Sequence, residues 1–160
     1  MQSTLRPIEI KDNQAVASLI RSVLREFKID RPGTVYFDPT TDSLYELFQT
    51  PKSFYWIAEV NGKIVGGCGI YPTKALPDGC VELVKFYVSA ESRGKGFGKL
   101  LMQSCFTSAI ESGYNRIYLE SLHELKDAVG IYEKAGFKNL EKPLGNSGHH
   151  ACSVWMVKNL

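Results

Sequence analysis

The sequence predicts an α/β protein of the α+β type, with a central mixed, mostly antiparallel twisted sheet of about six to seven strands flanked by about four helices. Three observations predict it. Residues 54–88 hold strand-like segments joined by short turns, the mark of antiparallel hairpins. After residue 88, segments of helical and strand periodicity alternate, as in a βαβ unit. The chain has 160 residues, 44% hydrophobic and 22% charged, which suits one ordinary domain spanning residues 1–160.

The elements follow in order. Thr4 to Ile10 alternates loosely and reads as a first strand. Asp12 or Asn13 is placed to cap a helix carrying Val16, Leu19, Ile20, Val23, Leu24 and Phe27 at helical spacing. Ile29 to Pro39 holds Pro32, Gly33 and Pro39 and reads as a loop. A short helix, Ser43 to Gln49, ends before Pro51. Phe54–Val60 and Lys63–Tyr71 are strands around an Asn61-Gly62 turn, where both residues tolerate positive φ. Pro77-Asp78-Gly79 turns the chain into a strand over Cys80–Val88. Gly98–Ser112 is a helix with Leu100, Leu101, Cys105, Ala109 and Ile110 on its apolar side, stopped by Gly113. A strand over Asn115–Ser121, a helix over Glu124–Ala135, a short strand over Phe137–Leu140, a Gly-bearing loop over Pro143–His150 and a last strand over Cys152–Val157 complete the chain.

Composition excludes several classes. No apolar run approaches the ~20 residues that span a bilayer, and the first residues have no secretory-signal pattern. Lys and Arg sum to 19 against 17 for Asp and Glu, and this net charge of +2 argues for neither nucleic acid nor an anionic membrane as partner. Cys68, Cys80, Cys105 and Cys152 are scattered and read as reduced thiols, so a cytoplasmic location is expected. His149-His150 and His123 lack a second ligand cluster at zinc spacing, and no metal is expected.

The most informative stretch is Arg93-Gly94-Lys95-Gly96-Phe97-Gly98-Lys99, which leads from a buried strand into a helix. Glycines let consecutive N–H groups converge, the helix N-terminus adds partial positive charge, and three cations add full charges. The ligand suited to such a nest is a phosphate or pyrophosphate. A Walker A loop fails because Leu100 follows Lys99 where a hydroxyl is needed. The dinucleotide pattern G-x-G-x-x-G fails because position 99 is Lys. The acyl-CoA pyrophosphate pattern [RQ]-x-x-G-x-[GA] fits through Arg93, Gly96 and Gly98.

With Glu82-Leu83-Val84-Lys85-Phe86-Tyr87-Val88 before this loop and Ala128-Val129-Gly130-Ile131-Tyr132-Glu133-Lys134-Ala135-Gly136-Phe137 after it, the chain resembles the GNAT superfamily of acetyl-CoA-dependent N-acetyltransferases. The blocks match in order and spacing from Phe54 to Lys138, and the flanks are compatible in length and pattern. The resemblance implies the GNAT fold, acetyl-CoA as cosubstrate, and direct attack of an amine on the thioester. It implies that Phe86, Tyr87 and Val88 offer backbone groups to the pantetheine arm, with an N–H near Val88 polarising the thioester carbonyl. Leu125 stands where many members carry asparagine, so Ser121 or another group would supply that hydrogen bond.

Amide formation needs a base for the amine and an acid for the departing thiolate. The resemblance makes Tyr132 the candidate acid. Glu82 is the candidate base, with Glu120 on the neighbouring strand as the competing one. The acceptor is expected between the first helices and the loop before the last strand. That brings forward Tyr36, within Gly33–Pro39, and His149, within Gly145–His150, as substrate contacts. A small primary amine or amino-acid-like metabolite is the expected acceptor. A protein N-terminus or lysine is the alternative within the enzyme class, and a non-catalytic acyl-CoA sensor the alternative outside it. Exposed sheet edges could pair two copies into a homodimer.

Overall fold

The computed structural model describes residues 2–160. Seven strands form one sheet: β1 (Ser3–Pro7), β2 (Phe54–Val60), β3 (Lys63–Tyr71), β4 (Cys80–Val88), β5 (Arg116–Ser121), β6 (Lys138–Leu140) and β7 (Val154–Asn159). Their spatial order is β1-β2-β3-β4-β5-β7-β6, antiparallel throughout except for the parallel β4–β5 pair. Four helices cover the sheet: α1 (Asn13–Glu26), α2 (Leu44–Leu47), α3 (Phe97–Glu111) and α4 (Lys126–Lys134). This is the predicted α/β mixed-sheet fold, with hairpins first and the parallel crossover through α3 second.

Strand alternation divides the core between the two faces. Ala58, Val81 and Leu83 pack with Leu101, Met102 and Cys105 of α3. Tyr55 and Ile57 pack on the opposite face with Val16, Ile20 and Leu24 of α1 and Leu44 of α2. Cys68, Cys80, Cys105 and Cys152 are all free thiols. No helix among the described residues is long and apolar enough to cross a membrane.

The expected boundaries hold to within a few residues, with three local differences. The first strand ends at Pro7, because a 3-10 turn over Ile10–Asp12 precedes α1. Asp12 accordingly spends its carboxyl on the Glu9 N–H at 2.7 Å and on Arg6 at 2.7 and 2.9 Å, not on the helix cap. The last strand begins at Val154, two residues after Cys152, and runs on to Asn159.

The third difference shapes the site. Between Gly67↔Tyr87 and Gly69↔Val84, Lys85 and Phe86 together oppose Cys68, which is a β-bulge. Lys85 takes φ +51 there, in the left-handed region. The extra residue flips the alternation of β4: Phe86 and Val88 join the α3 face, while Tyr87 joins Val84 on the α1 face. Glycines of β3 make room for the clamp that holds the bulge. The Tyr55 ring crosses Gly69, where a Cβ would lie 2.6 Å from Tyr55 Cδ2. The Tyr55 hydroxyl then donates to the Lys85 carbonyl at 2.7 Å.

Candidate active site

The parallel β4–β5 ladder runs from Cys80↔Arg116 to Leu83↔Leu119 and stops. Beyond it β5 continues beside β7 to Ser121↔Val154, while β4 bends away at the bulge. The two strands diverge into a cleft, leaving backbone groups of β4 without a partner from β5. One cavity along this cleft is lined by Glu82–Tyr87 of β4, Leu119–Leu122, Leu125, Tyr132 and His149. A second, of about 340 Å³, runs from Phe86–Val88 to Arg93, Gly94, Phe97 and Gly98, with Leu125, Ala128, Ile131 and Tyr132 as its far wall. Phe86, Tyr87, Leu125 and Tyr132 line both, so the two spaces meet at Tyr132.

The glycine loop sits at the outer end of the second cavity. Gly94 and Gly96 take φ +75 and +89, which a side chain adopts only at a cost. Gly98 is needed for contact: a Cβ there would lie 3.1 Å from the Phe86 ring. The helix begins at Phe97 and its first backbone bond is Leu100 N–H to Gly96 O, at 3.1 Å. The N–H groups of Phe97, Gly98 and Lys99 therefore have no helical acceptor and face the loop. Lys95 and Lys99 are exposed beside them. Arg93 is committed differently from the other two cations. Its guanidinium forks onto Glu26 at 2.6 and 2.9 Å, donates to Val88 O at 3.1 Å and lies over the Phe27 ring. It braces the end of α1 against the loop.

At the inner end, Glu82 is 3% exposed and accepts from Thr73 Oγ1 at 2.6 Å. Burial pushes its carboxyl up to about 7, beyond what Thr73, Lys85 and His149 can pull back, and Glu120 nearby raises it further. Glu120 is engaged by the Tyr118 hydroxyl at 2.7 Å and by Ser147. Lys85, also buried, lies 3.3 Å from Asp38. Burial pulls its ammonium below the ordinary lysine range, against the opposing charge of Asp38. Burial raises Asp38 too, but the hydrogen bond from His149 Nε2 at 2.8 Å, the Lys85 charge and Thr40 outweigh it and hold the carboxyl well below the usual range.

Tyr132 is buried between Phe86 and Phe137, with ring centroids 6.0 and 5.9 Å away. Burial pushes its phenol far above the ordinary value, so it keeps its proton at neutral pH.

The fold thus gathers Glu82, Glu120, His149 and Tyr132 along one cleft. Tyr36 is turned elsewhere: its hydroxyl meets Arg25 at 3.0 Å and its ring faces Arg21 and Arg25 of α1. Asp38, two residues on, lines a cavity with Glu82, Lys85 and His149 instead. Asp38, Lys85 and Thr73 escaped the residue-by-residue reading. The signal available was Lys85 itself, a charge inside an apolar strand. Among the described residues no group of three or more His, Cys, Asp or Glu is gathered to hold a metal.

A mixed sheet opened between its two parallel strands, with a glycine-rich helix start at one end of the opening and a buried carboxyl at the other, is the architecture of an acyl-CoA-dependent transferase. The family model described as "Acetyltransferase (GNAT) family" matches residues 19–137, and the chain belongs to this family. It is a GNAT acyltransferase. It is 37% identical over 157 residues to the uncharacterized N-acetyltransferase YjgM of Escherichia coli (strain K12), covering 98% of this chain and 94% of that protein. It is 32% identical over 119 residues to human N-acetyltransferase 8B, covering 70% of this chain and 52% of that protein, so it spans about half of that relative's length. In fold it matches a GNAT-family acetyltransferase from Staphylococcus aureus Mu50 at a TM-score of 0.86 with 21% identity, each chain 99% covered. It also matches PaiA N-acetyltransferase from Thermoplasma acidophilum, determined in complex with coenzyme A, at a TM-score of 0.77 with 16% identity over the full length of both chains.

Proposed function

We propose that this chain transfers the acetyl group of acetyl-CoA to a primary amine of a small, amino-acid-like acceptor, by direct attack on the thioester. The observation that carries this reading is Glu82, a buried carboxyl with a pKa of about 7 on the wall of a cleft that also holds Tyr132. A base with that pKa takes a proton from an ammonium group near neutral pH and still leaves enough of itself ionised to do so.

The roles follow from position. The N–H groups at the start of α3, with Lys95 and Lys99, hold the pyrophosphate. The open edge of β4 from Phe86 to Val88 pairs with the pantetheine arm, and a backbone N–H near Val88 stabilises the charge that develops on the carbonyl oxygen. Glu82 removes the amine proton, directly or through water. The amine nitrogen bonds to the acetyl carbon, the carbon–sulfur bond breaks as the nitrogen sheds its second proton to solvent, and Tyr132 protonates the departing sulfur and regains its own proton from solvent. Acetyl-CoA suits this cleft as donor because the N–H groups at the start of α3 lie at its mouth.

The test is release of free thiol from acetyl-CoA in the presence of a panel of primary amines. Amine-dependent release that collapses in Glu82→Gln supports the reading. Acetyl-CoA binding without release for any amine overturns it in favour of a binding module.

A further inference from the structure

A third cavity, beside Glu82 on the side away from the glycine loop, carries one more charge than proton transfer needs. Lys85 lines it together with Glu82, Asp38 and His149. Its side chain is only 4% exposed. The bulge at φ +51, held by the Tyr55 hydroxyl on the Lys85 carbonyl, turns it to this side of the sheet. An ammonium group has three N–H donors, and among the described residues Lys85 spends one, on Asp38 Oδ2 at 3.3 Å.

Asp38 does not depend on that contact. The same oxygen is bound by His149 Nε2 at 2.8 Å, and the other oxygen accepts from the Thr40 N–H at 2.9 Å and the Thr40 hydroxyl at 2.7 Å. The remaining acids nearby are occupied as well, Glu120 by Tyr118 and Ser147, and Glu82 by Thr73. Lys85 is therefore the buried cation of this cavity with hydrogen-bonding capacity to spare, whereas Lys74, which also lines it, is exposed to solvent. A buried cation with unspent donors is costly unless something accepts them.

Resting on the transfer reading above, we propose that Lys85 binds a carboxylate of the acceptor, so that the acceptor carries both an amine and a carboxylate on one small molecule, as an amino acid does. The amine lies at Glu82 and the carboxylate at Lys85, three residues along the same strand and facing the same cavity. The charge balance favours a monoanion over a phosphate group: Asp38 already offsets part of the Lys85 charge and would repel a dianion.

The experiment compares kcat/KM for free amino acids with that for their carboxamides, in the native enzyme, Lys85→Met and Lys85→Arg. Acetyl-CoA-induced thermal stabilisation serves as the check that each variant folds. The native enzyme is expected to prefer the acid by roughly 10–100-fold, the range for a hydrogen bond to a charged group. The ratio should fall close to one in Lys85→Met, through KM, and recover in part in Lys85→Arg. A second readout needs no turnover: an N-acetylamino acid should stabilise the native protein more than the matching N-acetylamino amide. Should Lys85→Met fail to fold, the native acid-to-amide ratio and this product comparison decide alone. Amines acetylated with no preference for the acid would overturn this inference and leave the acetyltransferase reading standing. Acetyl-CoA binding with no amine acetylated and no N-acetyl product bound would overturn both.

Discussion

Between about pH 4.5 and 7, Glu82 binds its proton more firmly in the folded chain than in the unfolded one. Its ordinary value of 4.5 is pushed up to about 7 by burial. Between those pH values the native state binds more protons than the unfolded state, so the contribution of Glu82 to stability falls as pH rises through this window. Glu82→Gln removes that penalty. The variant is expected to gain stability relative to the native chain between about pH 4.5 and 7, and to hold the gain above it, by on the order of 3 kcal/mol. Urea unfolding at pH 5 and pH 8 measures it, and a pH-independent difference would mean an ordinary carboxyl. The same group predicts that native kcat/KM rises with pH through about 7. At Tyr132 the ring and the hydroxyl separate cleanly. The ring packs on Phe86 and Phe137, so Tyr132→Phe should keep the melting temperature within about 2 °C. Its kcat should drop by about a hundredfold or more, the usual contribution of a positioned acid. Unchanged turnover would reduce Tyr132 to a packing residue.

Among the elements, the bulged strand β4 and the glycine loop do the most to make a site. A regular β4 would leave Lys85 with Leu83 on the α3 face and Phe86 on the α1 face. The bulge reverses both and ends the pairing with β5. At the loop, Gly96 takes φ +89 with open space around it, so an added methyl group meets no atom and the cost is purely that of the backbone. Gly96→Ala is expected to destabilise by about 1–2 kcal/mol and to weaken stabilisation by acetyl-CoA, because the N–H groups of the loop would shift. Gly130 also has open space around it but lies within helix α4. Gly130→Ala should stabilise by about 0.5–1 kcal/mol. Thermal melts of the pair, with and without acetyl-CoA, separate a left-handed position from a helical one.

The whole molecule is a sheet split on one side, and binding in the split should brace it. Part of the wall comes from α1, which Arg93 ties to the loop through Glu26 and Val88 O. A ligand that binds only the folded state at a hundred times its Kd stabilises by about 2.7 kcal/mol, a rise of roughly 5–10 °C for a chain of this size. Acetyl-CoA and CoA are expected to produce that rise and NAD to produce none. A larger shift with NAD would mean that the start of α3 reads a dinucleotide.

The sequence by itself determined the fold class, the family and the place of the glycine loop proposed to hold the pyrophosphate, because each rests on local signals. Asn61-Gly62 makes its turn, the glycines of 94–98 make theirs, and the apolar period of α1 holds, whereas in α3 Leu100 and Ile110, expected on the apolar side, are exposed and Met102 packs inward with Leu101, Cys105 and Ala109. Glu82 and Tyr132, the proposed base and acid, stood out for a similar reason, lying inside contiguous motifs, and the fold brings both to one cleft. Asp38, Thr73 and the role of Lys85 were not. They come from segments far apart in the chain and meet only when two loops close over β4, and a single extra residue in that strand decides which face each side chain of 85–88 occupies. Tyr36 shows the same limit from the other side. Its loop reaches the cleft, but the arginines of α1 claim its ring, and the neighbouring Asp38 faces the cavity instead. Register and long-range contact follow from the packing of the whole sheet, so tertiary structure alone chose which residues line the cavity beside Glu82.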